Sequence, residues 1–291
     1  LNEYLLSVLL GIVEGLTEFL PVSSTAHLRI CESLAGIDLS NGYWKMYSIV
    51  IQLGAILCLP IYFRARIAGF LKTFPRGERG DRTMLTHPLT LVMIAFVCTA
   101  GPAFLLTKVI GKHLESMIII GCSLLIGGIV MWIVDTLYGG PPDSQRFRTE
   151  HIEDMSMLQA IWIGLCQIFS AVFPGTSRSM STIAAGQIAG MSRTSALEFS
   201  FFLSMPTMVS AIGYDLLRTL RAKHGEPLGR MPANSQEWIV LAIGFTVSFF
   251  VAWAVVAWFM NWVRSRGFAP FAIYRIIVGT AVLAWVVLGH R

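Results

Sequence analysis

The chain has 291 residues, of which 55% are hydrophobic and 13% charged, with 22 Lys and Arg against 17 Asp and Glu and a formal net charge of +5. The charged share is about half of the roughly 25% usual in soluble domains, which excludes water as the solvent for most of the surface. The positive surplus lies largely in loops, where Lys and Arg beside a bilayer meet lipid headgroups, and no nucleic-acid motif accompanies it.

The first hydrophobic stretch, residues 4–35, is broken. Its apolar run Tyr4–Val13 follows Glu3 and leads into Glu14 and Glu18 without a small-residue cleavage site, so a removable signal peptide is not expected. Gly11, Gly15, Pro21 and a Ser-Ser-Thr cluster then divide the stretch into two half-length helices joined by a polar turn. Three apolar stretches follow, Tyr47–Phe63, Leu89–Ile110 and Met117–Leu137, each near the length of about 20 residues that crosses hydrocarbon. Residues 157–190 are broken again, by Gly164, Pro174-Gly175 and a second hydroxyl cluster, and the spans Leu197–Leu217, Trp238–Val263 and Phe271–Leu288 come after them. Backbone groups in lipid must be bonded internally and period-2 alternation is absent, so helices are expected and a barrel is not.

The two broken segments match. Adding 153 aligns Gly11 with Gly164, Glu14 with Gln167, Thr17 with Ser170, Pro21 with Pro174, Ser23 with Thr176 and Ser24 with Ser177. Three spans after each broken segment is an odd number, so the second copy enters the membrane from the opposite side. The expected fold is an all-α integral membrane domain over residues 1–291, built of two inverted repeats, about 1–138 and 156–291. It has six transmembrane helices and two re-entrant helix–turn–helix segments. Arg64, Arg66, Lys72, Arg76, Arg79 and Arg82 favour a cytoplasmic loop after the first span, and Arg218, Arg221, Lys223 and Arg230 weigh against it. The first set sends both termini and the first broken segment to the outer side.

Glu14 and Glu18 lie four apart on one helix face, where an apolar setting demands a cavity, a metal or a cationic partner. Hydration near a membrane surface is the alternative. Pro21 through His27 reads as a turn and a helix start; one hydroxyl among Ser23, Ser24 and Thr25 serves as a cap, and the others suit an anion at a helix N-terminus. His27, within a turn of Ser24, suits a proton donor, a base or a phosphate ligand, or a satisfied buried histidine. The second copy carries Gln167 and Ala171 in place of the carboxylates and supplies Arg178 among Thr176, Ser177 and Ser179. Arg178 requires a partner, either Glu14 or Glu18 or the oxygens of a phosphate. Acids and hydroxyls from one half meeting hydroxyls and a guanidinium from the other make a phosphoryl-transfer site.

Other residues weigh less. Gln52, Glu198 and Asp215 are expected in interhelical hydrogen bonds, Gly127-Gly128, Gly186 and Gly190 in close packing, and Trp44, Trp132, Trp162 and Trp238 at the interface. Cys31, Cys58, Cys98, Cys122 and Cys166 read as buried small hydrophobes.

With Glu14-Gly-Leu-Thr-Glu18, Phe-Leu-Pro-Val-Ser-Ser-Thr before His27, and Pro174 through Thr182 as P-G-x-S-R-S-x-x-T, the chain resembles the bacitracin-resistance (BacA/UppP) family of undecaprenyl-diphosphate phosphatases. Val50-Ile-Gln-Leu-Gly-Ala, Glu198-Phe-Ser-Phe and Pro270-Phe-Ala-Ile-Tyr-Arg275 extend the similarity over nearly the whole chain. The resemblance implies hydrolysis of the C55 lipid diphosphate to the monophosphate carrier of cell-wall synthesis, on the outer face of the bacterial inner membrane, aided by a divalent cation. It implies catalytic roles for Glu14, Glu18, Ser24, His27 and Arg178, with Ser23, Thr25, Ser177 and Ser179 supporting phosphate. Mg²⁺ or Ca²⁺ on Glu14 and Glu18 suits hard carboxylate oxygens. Partners are the polyprenyl diphosphate and membrane lipids; a homodimer is left open, as are Thr25, His27 or water as nucleophile. Ala26 and Met180 stand where the family usually has Gly, which is expected to add bulk near the pocket. A lipid flippase or secondary transporter using the same midplane site is the rival reading.

Overall fold

The computed structural model describes residues 2–37, 42–106, 116–140, 149–220 and 229–289. Residues 107–110 of the second expected span, and Arg221 and Lys223, lie outside them. The described residues are helical but for loops and an isolated bridge, Thr149 with Met191. In chain order the helices are α1 (Glu3–Thr17), α2 (Ser24–Leu34), α3 (Gly42–Tyr62), α4 (Arg64–Thr73), α5 (Pro88–Leu105), α6 (Met117–Tyr138), α7 (Met157–Val172), α8 (Arg178–Ile188), α9 (Arg193–Leu220), α10 (Ser235–Arg266) and α11 (Ala269–Val287). Six of them, α3, α5, α6, α9, α10 and α11, are long and apolar enough to cross a membrane. These coincide with the six expected spans, so the chain is an all-α, multi-pass membrane protein. The basic segment after the first span, expected as a loop, opens with α4.

The helices on either side of each break are short, 15 and 11 residues for α1 and α2 and 16 and 11 for α7 and α8. None reaches the length of about 20 that spans hydrocarbon. Each first arm lies on a long helix far away in sequence: α1 packs against α10, and α7 against α5. Glycine allows the approach. A Cβ on Gly11 would sit 2.9 Å from the Gly244 carbonyl, and one on Gly15 2.8 Å from the Ser248 carbonyl. Small residues replace the hydrophobic drive that helices lack in lipid. Helices α6 and α11 meet through Gly121, Gly128 and Gly279.

Polar ties are buried between helices. Ser7 Oγ donates to the Val240 carbonyl (2.6 Å), Tyr47 Oη to the Ser7 carbonyl (3.0 Å) and Ser248 Oγ to the Ile51 carbonyl (2.7 Å). Glu198 does not enter the cavity described below; it accepts from Arg66 Nε (2.8 Å), and Arg66 also pairs with Glu153, so one guanidinium ties α4 to α9 and to the segment before α7. Two expectations need correction. Trp44 is not presented outward as an interfacial anchor but buried edge-to-face against Tyr43 and Tyr47, whose rings take up its apolar surface. Of the five cysteines only Cys58 is buried; the others are half-buried, Cys31 and Cys166 at the margins of apolar core clusters.

Candidate active site

The turn after α1 and the turn after α7 have the same backbone signature. Ser23 (φ 75°) and Ser177 (φ 71°) are the two non-glycine residues with positive φ among those described, and each is the N-cap of the next helix. Ser23 Oγ accepts from the Ala26 N–H (3.4 Å) and Ser177 Oγ from the Met180 N–H (3.3 Å). L-residues held in that region cost of order 1–3 kcal/mol and persist where surroundings over-determine them. The match also corrects the sequence alignment. After the prolines the offset is 154, not 153, because two residues separate Pro174 from Ser177 and one separates Pro21 from Ser23; Ser23 pairs with Ser177 and Ser24 with Arg178. Gly175 is one of those two: at φ +92° a Cβ would lie 2.8 Å from the Ile120 carbonyl.

The two turns converge. Glu18 is buried and its carboxylate joins both halves: Ser24 Oγ donates to Oε2 (2.5 Å) and Arg178 Nη2 to Oε1 (2.9 Å). Ser179 Oγ adds a bond to the Glu18 carbonyl (3.3 Å). Arg178 Nη1 has no hydrogen-bond partner among the described residues. A cavity of about 260 Å³ opens here, lined from the first half by Glu18, Ser23, Ser24, Thr25 and Gln52, and from the second by Ser177 and Arg178. Thr99, Gln167, Ser170 and Thr207 complete a rim of neutral donors and acceptors. Helices α2 and α8 both start at the cavity, so two sets of free N–H groups and two positive dipole ends face it. Chemically, the arrangement can hold a polyanion, and Glu18 can take a proton from Ser24 Oγ.

A family profile described as Bacitracin resistance protein BacA matches residues 7–281. The chain belongs to the BacA family. It is 69% identical over 287 residues to the undecaprenyl-diphosphatase of Koribacter versatilis (strain Ellin345), covering 98% of this chain and 99% of the relative. It is also 38% identical to the undecaprenyl-diphosphatase of Caldanaerobacter subterraneus subsp. tengcongensis (94% and 93% covered). Its identity to undecaprenyl-diphosphatase 2 of Paramagnetospirillum magneticum is 37% (97% and 98% covered).

Not every residue expected in this BacA site reaches the cavity. His27 turns away: its Nδ1 donates to the Ser23 carbonyl (2.7 Å), and its Nε2 is 2.7 Å from Tyr274 Oη, the rings stacked. Ser179 is buried between the halves and does not line the cavity. Glu14 is fully buried four residues before Glu18, and among the described residues neither of its oxygens has a hydrogen-bond partner. Ala26 and Met180 add no bulk to the polar cavity. Ala26 packs against Ile120 and Leu124, and Met180 points to an apolar groove on the other side of α8.

Arg275 is the residue that sequence reasoning passed over. Fully buried on α11, it donates to the carbonyls of Pro21 (3.2 Å), Gly175 (3.1 Å) and Ser123 (3.0 Å), clasping both turns and α6. The signal was available, since a guanidinium in an otherwise apolar span is costly without a function. Thr99 and Thr207 had no such signal; both accept from Gln167 Nε2, at 3.2 and 3.3 Å.

Proposed function

We propose that this chain hydrolyses a polyprenyl diphosphate, of the C55 class acted on by its relatives, to the prenyl monophosphate and inorganic phosphate. The observation that carries the reading is the Glu18 carboxylate bridging Ser24 Oγ and Arg178 beside a hydroxyl-lined cavity. Arg178 Nη1 and the N-termini of α2 and α8 receive the phosphate oxygens, as electrostatic stabilisation of phosphoryl transfer requires. Ser24 Oγ attacks the terminal phosphorus and passes its proton to Glu18 Oε2. The anhydride P–O bond breaks with its electrons on the bridging oxygen, which leaves as the prenyl monophosphate. Water then displaces Ser24 from the phosphoserine, and the proton held by Glu18 returns to Ser24 Oγ. His27 acts through Ser23, holding the carbonyl at the strained turn. Ser23, Thr25 and Ser177 support phosphate, and Ser179 fixes Glu18.

A divalent cation fits the site. Among the described residues no three His, Cys, Asp or Glu side chains gather, but Glu14 keeps two unpartnered oxygens four residues from Glu18; turned towards the cavity it does not now line, it would with Glu18 hold Mg²⁺ or Ca²⁺. Such an ion would neutralise charge on the phosphate oxygens.

The reading includes two inverted repeats in a single membrane domain, about 1–138 and 156–291, with α1–α2 and α7–α8 re-entrant. Reciprocal packing supports it. A Cβ on Gly279 would meet Gly121, Leu124 and Leu125, and adding 151 to these gives Ala272, Arg275 and Ile276, the residues a Cβ on Gly128 would meet. The cavity then opens to the side of the termini, which the basic α3–α5 segment makes the outer side of the bacterial inner membrane. The prenyl chain leaves the cavity towards lipid.

Purified protein in detergent should release phosphate from C15 and C55 diphosphates, and Ser24→Ala and Arg178→Ala should remove that activity while the fold persists. Lipid movement between leaflets without phosphate release would replace the hydrolase with a flippase.

A further inference from the structure

An apolar groove of about 610 Å³ runs between α6, α7 and α8. It starts at the same turn that bounds the polar cavity: Phe173 and Thr176 face the groove, whereas Pro174, Gly175 and Ser177 face the cavity. From there it continues past Ser123 and Ile126 to Val130 on α6, seven residues beyond Ser123, about 10 Å along the helix.

The place related to it by the repeat is filled. With the offset of 151 between α6 and α11 and of 154 between α2 and α8, Ser123 corresponds to Tyr274 and Ser181 to His27. Tyr274 and His27 stack at 5.6 Å and share a hydrogen bond, while the two serines, both lining the groove, leave the space open. One member of a symmetric pair of grooves is thus plugged and the other is kept clear.

We infer that the α6–α7–α8 groove is the subsite for the proximal isoprene units of the prenyl diphosphate, the chain passing over the 173–177 turn from the phosphates in the cavity. This rests on the hydrolase reading above. A chain tethered to a diphosphate in the adjoining cavity reaches the groove without a separate encounter. The pocket is apolar and of the size that binds small ligands, about 300–1,000 Å³. The plugged mate sets the direction in which the tail leaves.

Ile126 (61% exposed) and Val130 (42%) face outward and tolerate enlargement. Ile126→Trp and Val130→Trp are expected to raise KM for C55 diphosphate by about tenfold, what the loss of roughly two buried methylenes predicts, with kcat little changed. Ile277→Trp, at the position corresponding to Ile126 on α11, is expected to leave both constants unchanged. A farnesyl diphosphate bearing a benzophenone at its tail end is expected to label peptides from 117–138 or 178–188. Unaltered KM in both groove variants, a fall in kcat at constant KM, or label confined to α11 or α2 would overturn the inference. The photolabel reads occupancy without turnover, so a wild-type protein that releases no phosphate yet labels in the groove removes the hydrolase and keeps the subsite.

Discussion

Replacing Arg275 tests whether the two turns are held in register by one side chain. Its guanidinium gives three hydrogen bonds of 3.0 to 3.2 Å to carbonyls and is paired with no carboxylate among the described residues. A bond from a charged donor contributes about 1.5–3 kcal/mol, and burying an unpaired cation costs several kcal/mol, so Arg275→Met should destabilise the protein by a net of about 1–4 kcal/mol. The effect on turnover should be larger in proportion. Pro21 and Gly175 lie in the turns that carry Ser24 and Arg178 into one cavity, and a shift of about 1 Å between reacting groups costs on the order of 100-fold in rate. Arg275→Lys should fall short as well, since one ammonium cannot reach three separate carbonyls as a planar fork does. The assay is phosphate release from C55 diphosphate, giving kcat and KM, alongside thermal unfolding in detergent. A folded Arg275→Met protein with kcat within about threefold of wild type would refute the argument, because a displaced turn cannot leave the chemistry intact.

Glu18→Gln removes the proton acceptor and should lower kcat by about 10²–10⁴, and acid quenching should trap a phosphoserine in wild type that Ser24→Ala cannot form. Arg178→Lys keeps the charge without the fork and should lose about 10²–10³ in kcat, measured at saturating substrate. Chelator should silence the wild type, and Glu14→Gln should raise the Mg²⁺ or Ca²⁺ concentration needed for half-maximal phosphate release by at least about tenfold. Outside the spans, burial raises the Glu153 carboxyl, but hydrogen bonds and charge from Arg66 outweigh it and hold it below its ordinary 4.5. A depressed carboxylate stabilises the folded state above its unfolded value and loses that contribution as pH falls through its folded value. The melting-temperature difference between wild type and Glu153→Gln should therefore be present at pH 7 and shrink below pH 4.5; a constant difference would remove the pair from the account.

Much of the site was legible because charge is expensive in lipid. Glu14, Glu18 and Arg178 stand out in apolar stretches, and the prolines at 21 and 174 mark where the helices break. What periodicity cannot supply is the neighbour across the bundle. His27 is on the expected helix, but its ring direction is set by Tyr274, 247 residues away. The extra residue between Pro174 and Ser177 is invisible to a constant offset, since the positive φ of Ser23 and Ser177 reveals which serines are equivalent. Arg275 was part of a recognisable motif and still escaped, because its partners are backbone carbonyls, which carry no residue-specific mark in a sequence.

The seating of α1 on α10 bears on how the chain is made. Gly11 and Gly15 need the surface around Gly244 and Ser248, more than 200 residues further on. During synthesis the N-terminal hairpin, with its two carboxylates, emerges long before that surface exists, so its seat on α10 is among the last contacts to form. Truncation before Ser235 would leave α1 without that seat.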